Sequence, residues 1–261
     1  MSRLASTFAR LRDAHRGGLV TYVTAGDPDA DTCTKILTAI SAAGADVLEV
    51  GVPFSDPLAD GPVIQRASER ALAAGMTLRG TLDIVRAVRT RIDTPIVLFT
   101  YANPVVRMTP EGFARAAADA GVDGVLMLDF PVEESGPWRT PMIEAGLDPI
   151  FLVSPTTSDG RIERSAELGR GFLYVISRLG ITGARDTLAE GMGGLLERVR
   201  RHSDLPLAVG FGISRPEHVA EACGFADAAV VGSALVNVIA EAGGSAPERA
   251  GEYVRWLKSA L

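Results

Sequence analysis

Two carboxylates eleven positions apart, Glu49 and Asp60, stand in the segment LEVGVPFSDPLADGPVIQR, which runs from residue 48 to residue 66. Glu49 interrupts the apolar run LEVGV, whose Leu and Val side chains read as a buried strand. Burying a carboxylate without a partner is costly, so a core ion pair and a working acid are both open readings of Glu49. The loop that follows carries Pro53, Pro57 and Pro62, which restrict the backbone, and Gly61, which permits a tight bend. Asp56 and Asp60 on that loop also suit a turn or a helix cap. Two acids presented by one stiff strand-to-loop unit nevertheless point to paired acid and base chemistry.

The elements that must hold them alternate along the chain. Strand-like runs cover 18–26, 45–53, 95–101, 124–130, 149–154, 171–177, 205–212 and 227–233. Amphipathic segments such as DADTCTKILTAISAAG, LRGTLDIVRAVRTRI and MGGLLERVRRHS lie between them. Eight strands each followed by a helix predict an α/β fold, a (β/α)8 TIM barrel. A doubly wound open sheet is the alternative. Leu4, Phe8 and Leu11 at helical spacing add an extra N-terminal helix, and with no Ser- or Pro-rich linker the expected organisation is a single barrel domain over 1–261. Barrel chemistry gathers where strands end at their carboxyl side. Glu49, Asp129, Arg178 and the glycines of GFG (210–212) and GS (232–233) fall at such ends.

Two of those ends resemble anion cradles. In AVGFGISRPEHV a strand runs into Gly210 and Gly212, and Ser214 with Glu217 three positions on has the spacing of a capping box. In AAVVGSALVNVI a strand passes through Gly232 and Ser233 into a short apolar helix, whose free N–H groups and dipole favour a phosphate. Tight turns alone would also account for these glycines. As strands seven and eight of a barrel, they occupy the customary phosphate position.

Other features narrow the chemistry. The chain carries 26 Lys and Arg against 32 Asp and Glu, a net charge of −6, which argues against a nucleic-acid partner. Cys33 and Cys223 are too few for a disulfide framework, and no signal peptide or membrane span is discernible, so a soluble cytoplasmic protein with no membrane partner is expected. Lys35 and Lys258 are the only lysines and neither ends a strand, which disfavours a Schiff-base aldolase. His15, His202 and His218 read as surface residues in helical or post-helical segments, so no metal site is expected. No glycine-rich nucleotide motif opens a helix. What survives is cofactor-free acid–base chemistry on a phosphate-bearing small molecule.

At this point the motifs carry a resemblance. LEVGVPFSDPLADGPVIQRA is similar to the signature of the tryptophan synthase alpha subunit family, and TYVTAGDP (21–28), TYANP (100–104), DFPVEES (129–135), SRLGITGAR (177–185), AVGFGIS (208–214) and VVGSALV (230–236) follow in that family's order and spacing. The resemblance implies a barrel lyase that splits indole-3-glycerol phosphate into indole and glyceraldehyde 3-phosphate. It implies that Glu49 protonates C3 of the indole ring and then takes up a glycerol hydroxyl proton, and that Asp60 stabilises charge developing on the indole N–H. Tyr174 would line the site, though a core tyrosine fits as well. Gly183, Gly212, Gly232 and Ser233 would bind the phosphate; Tyr22, Phe99, Leu126 and Phe211 would wall the indole, plain barrel core being the other reading of these four. Segment 178–193 would be a water-excluding lid whose Thr182 reaches Asp60. Leu128 departs from the smaller residue usual in the family. The resemblance further implies a beta-subunit partner in an alpha2beta2 complex, docked near Pro53, Asp56, Asn103, Pro104 and Pro131, with pyridoxal phosphate only on that partner. A stand-alone indole-releasing lyase, a non-catalytic barrel that activates a partner and a sugar-phosphate isomerase are the competing readings.

Overall fold

The computed structural model describes residues 1–176, 192–210 and 212–261. Eight parallel strands pair in chain order: β1 (Gly18–Thr24), β2 (Val47–Gly51), β3 (Ile96–Thr100), β4 (Gly124–Met127), β5 (Asp148–Val153), β6 (Leu173–Ile176), β7 (Leu207–Gly210) and β8 (Ala228–Val231). A β8–β1 ladder, with Val20 opposite Val230, closes the barrel. Its helices are α1 (Arg3–Asp13), α2 (Ala30–Ala42), α3 (Pro62–Ala73), α4 (Leu78–Arg89), α5 (Ala102–Val106), α6 (Pro110–Ala120), α7 (Gly136–Glu144), α8 (Asp159–Leu168), α9 (Met192–Arg200), α10 (Pro216–Cys223), α11 (Ser233–Ala242) and α12 (Ala246–Lys258). The expected (β/α)8 architecture is therefore present, and the open sheet is excluded. Among the described residues, two crossovers are longer than a one-helix-per-strand pattern: β2 leads into α3 and α4, and β3 into α5 and α6.

Strand alternation decides which side chains enter the barrel. On β1, Leu19 and Val23 pack outward in the layer beneath the helices, whereas Val20 and Tyr22 belong to the inner cluster. On β2, Leu48 and Val50 face outward, so Glu49 between them faces in. Helix α1 plugs the amino end. Ser2 accepts the Ala5 N–H as its N-cap, and Leu4, Phe8 and Leu11 join the inner cluster, where Phe8 meets Phe172 at 5.5 Å between ring centroids.

Three carboxylates lock the same end. Asp46, Asp123 and Asp227 stand immediately before β2, β4 and β8. Each accepts a main-chain N–H from the strand before its own: Leu19 at 2.8 Å, Ile96 at 2.8 Å and Leu207 at 2.7 Å. Cations complete the shells, with Arg89 and Arg3 on Asp123, Arg16 and Lys258 on Asp46, and Arg200 on Asp227. Removing one buried member of such a cluster leaves its partners unpaired. Asp123→Ala is expected to lower unfolding free energy by about 2–4 kcal/mol, read as a reduced urea midpoint at constant slope. Catalytic rate should be unchanged, because this cluster lies at the end opposite the site.

Candidate active site

Residues from seven of the eight strands, with Leu128 just past the end of β4, converge on a cavity of about 480 Å³ at the carboxyl end of the barrel. Glu49 enters from the middle of β2 rather than from its end, and is wholly buried. Asp60 comes from the loop after β2, one residue before Gly61, the N-cap of α3, and is 8% exposed. Pro62 opens that helix, where its missing N–H costs nothing and its fixed φ suits the first turn. Both carboxylates line the cavity.

Their surroundings differ in a way that matters chemically. Among the described residues neither Glu49 oxygen has a hydrogen-bond partner, which rules out the core ion pair, and burial pushes its carboxyl up to about 8. Burial also lifts Asp60, to about 6, but here the Tyr101 hydroxyl donates to Oδ2 at 3.0 Å and favours the ionised form. Near neutrality, then, Glu49 holds a proton and Asp60 does not. Two acids driven apart in this way suit one proton donor and one anionic stabiliser.

Of the expected walls, Tyr22 and Phe99 line the cavity and meet edge-on at 5.1 Å. Tyr22 crosses in front of Gly51, where an added Cβ would fall 2.1 Å from the phenol oxygen, so only glycine leaves the ring its place. Leu126 does not reach the cavity. It pairs with Phe99 and is fully buried in the inner cluster, whereas Leu128, two residues on and so on the same face, lines the wall. Tyr174 is the second residue of β6, not its end, yet its phenol reaches the cavity by lying over Gly210.

Gly212 (φ +55°), Gly232 and Ser233 line the same cavity. Ser233 opens α11, whose first N–H groups have no acceptor within the helix. The capping box expected at Ser214 and Glu217 does not form. Pro216 at the first helical position holds Arg215 extended (φ −138°, ψ 157°), and Arg215 becomes the N-cap. The Ser214 N–H instead meets His218 Nδ1 at 3.4 Å, and His218, expected at the surface, is buried. Asp129 is also outside the cavity lining; it accepts the Ala102 N–H at the start of α5. Arg178, Thr182, Gly183, Phe211 and segment 178–191 of the expected lid lie outside the described residues.

Tyr101 is the residue that motif reading passed over. It directly follows β3 within TYANP, and its position at a strand's carboxyl end was the available signal.

Comparison with known proteins agrees with this arrangement. A family model described as tryptophan synthase alpha chain matches residues 8–258. The tryptophan synthase alpha chain of Burkholderia thailandensis is 47% identical, covering 100% of this chain and 97% of that protein. That of Methylococcus capsulatus is 52% identical over 93% of this chain and 91% of its own. Among solved structures, Mycobacterium tuberculosis tryptophan synthase superposes with a TM-score of 0.93 at 37% identity, covering 100% of this chain and 98% of that one. Fold, site and relatives converge: the chain belongs to the tryptophan synthase alpha chain family, lyases that cleave indole-3-glycerol phosphate in tryptophan biosynthesis.

Proposed function

We propose that Glu49 and Asp60 carry the cleavage in this chain, Glu49 as the proton donor and acceptor and Asp60 as the anionic partner of the indole N–H. The observation that carries this reading is a wholly buried Glu49, without a hydrogen-bond partner among the described residues, sharing one cavity with Asp60, while glycines and the α11 terminus line the same cavity. Protonated Glu49 transfers its proton to C3 of the indole. The ring becomes an iminium, and ionised Asp60 offsets the positive charge at nitrogen. The glycerol hydroxyl next to the scissile bond then returns a proton to Glu49. Its carbonyl forms, the carbon–carbon pair flows back into the ring, and indole and glyceraldehyde 3-phosphate separate. Glu49 ends as it began.

Tyr22, Phe99 and Tyr174 flank the ring in this proposal, and Gly212, Gly232 and Ser233 hold the phosphate. Thr182, Gly183 and Phe211 are assigned by family resemblance alone. No step uses a cofactor; pyridoxal phosphate is assigned to the beta chain. An alpha2beta2 assembly docked on the rim of Pro53, Asp56, Asn103, Pro104 and Pro131 is supported by two exposed apolar side chains beside it, Leu58 (92% exposed) and Val106 (52%). Residues 1–261 are read as one domain, which the packing of α12 on α2 supports. A cytoplasmic location is proposed from the free thiols Cys33 and Cys223; among the described residues no helix is long and apolar enough to cross a membrane.

Indole release from indole-3-glycerol phosphate, measured with and without an added beta chain, tests the reading. The rate should follow a bell in pH. The acid limb lies near 6, where Asp60 gains a proton, and the basic limb near 8, where Glu49 loses one. Full activity at pH 10 would remove Glu49 as the donor.

A further inference from the structure

The main chain of Asp60 is well anchored. Its N–H donates to the Pro57 carbonyl at 3.0 Å, and Gln65 Nε2 donates to its carbonyl at 2.9 Å. Neither bond orients the carboxylate, which has two further torsions. Tyr101, 5% exposed, supplies that constraint: its hydroxyl donates to Asp60 Oδ2 at 3.0 Å and accepts the Ala59 N–H at 3.0 Å. Its ring lies against Phe54, with centroids 5.1 Å apart and planes at 33°. The phenol thus grips the proline-rich loop at residues 54, 59 and 60. Its own backbone is fixed as well, since Tyr101 is the N-cap of α5 and the next N–H, that of Ala102, is held by Asp129 at 2.7 Å.

We propose that Tyr101 is the positioning residue for Asp60, occupying one carboxylate oxygen so that the other stays aimed at the indole nitrogen. This rests on the role given to Asp60 above. A carboxylate free to rotate would spend most of its time elsewhere, and a hydrogen bond to a charged acceptor is strong enough to prevent that. Among the described residues, the other titratable groups that act on this region are Glu49 from β2, Tyr22 from β1 and Tyr174 from β6, with Asp129 beside Tyr101. The phenols are uncharged, because burial raises them well above the ordinary range. A donor to the ionised form also lowers the acid limb, so its loss must move that limb to higher pH.

The test is Tyr101→Phe in the full chain, assayed alone and in combination with Asp60→Asn. Phenylalanine keeps the ring on Phe54, and a thermal midpoint verifies folding. We expect kcat to fall about tenfold or more with KM changed less than about threefold, and the acid limb to move upward. In the Asp60→Asn background the same change should cost less than about twofold, because the negative charge that the tether aims is already gone. Unchanged kcat and limb, or equal losses in both backgrounds, would overturn the proposal. Should Asp60→Asn alone be fully active, the reading of the site falls and this inference with it. Should Asp60→Asn be crippled and Tyr101→Phe normal, only the tether fails.

Discussion

Glu49→Gln is expected to lower indole release by about 10²–10⁴-fold, the usual worth of a positioned proton donor, with little change in KM. Glutamine has nearly the same shape and makes the same apolar contacts within β2, but it can neither give a proton to C3 nor take one from the glycerol hydroxyl. Steady-state assays over pH 5–9 check this, and retention of wild-type kcat would refute the role.

The same substitution should stabilise the fold. Glu49 ionises near 4.5 when unfolded and only near 8 in the barrel, since burial penalises the charge. Below pH 4.5 both states are protonated and there is no penalty. Above that the unfolded chain ionises first, so native stability declines as pH rises and the loss is complete once pH passes the folded value. Glu49→Gln removes this dependence. At pH 9 the variant should exceed the wild type by on the order of 3–5 kcal/mol, and at pH 4 the two should match. Urea midpoints at both pH values decide it. Catalytic proton transfer and the strain of a buried acid are, on this account, one property of one side chain.

Asp60→Asn is expected to cost about 10²–10³-fold in kcat, comparable to removing one preorganised group that stabilises developing charge. Asparagine still accepts the Tyr101 hydroxyl through its carbonyl oxygen, so the loop should keep its conformation. What disappears is the negative charge beside the indole nitrogen at the moment the ring becomes an iminium. The acid limb near pH 6 should vanish with it, leaving activity flat from pH 5 to the fall near 8. An acid limb that persists in Asp60→Asn would belong to another group and would sink the assignment.

How far each feature was legible depended on the range of the interactions behind it. The eight strands were readable because barrel strands are buried on both faces and appear as continuous apolar runs. The plug helix was readable from Leu4, Phe8 and Leu11 at helical spacing. Ser214 and Glu217 misled because a capping box is a local pattern that Pro216 overrides by extending the residue before it. Leu126 and Leu128 share a face, so alternation could not say which of the two stops below the cavity and which reaches it. His218 reads as a surface residue from its place in a helical pattern, but the fold buries it and the Ser214 N–H meets its Nδ1.

Residue types and their spacing alone establish the inventory and the framework: two acids on one stiffened segment, glycines at the last two strands, no strand-end lysine, and the periodicity that makes a barrel. Those are properties of near neighbours and of residue type. The chemical state of the acids, by contrast, depends on the closed barrel. Glu49 keeps its proton because the closed barrel surrounds it and, among the described residues, brings it no partner, and Asp60 ionises more readily because Tyr101, 41 positions away in the chain, donates to it. Burial and long-range donors set ionisation, and both come into being when distant strands close around a common space.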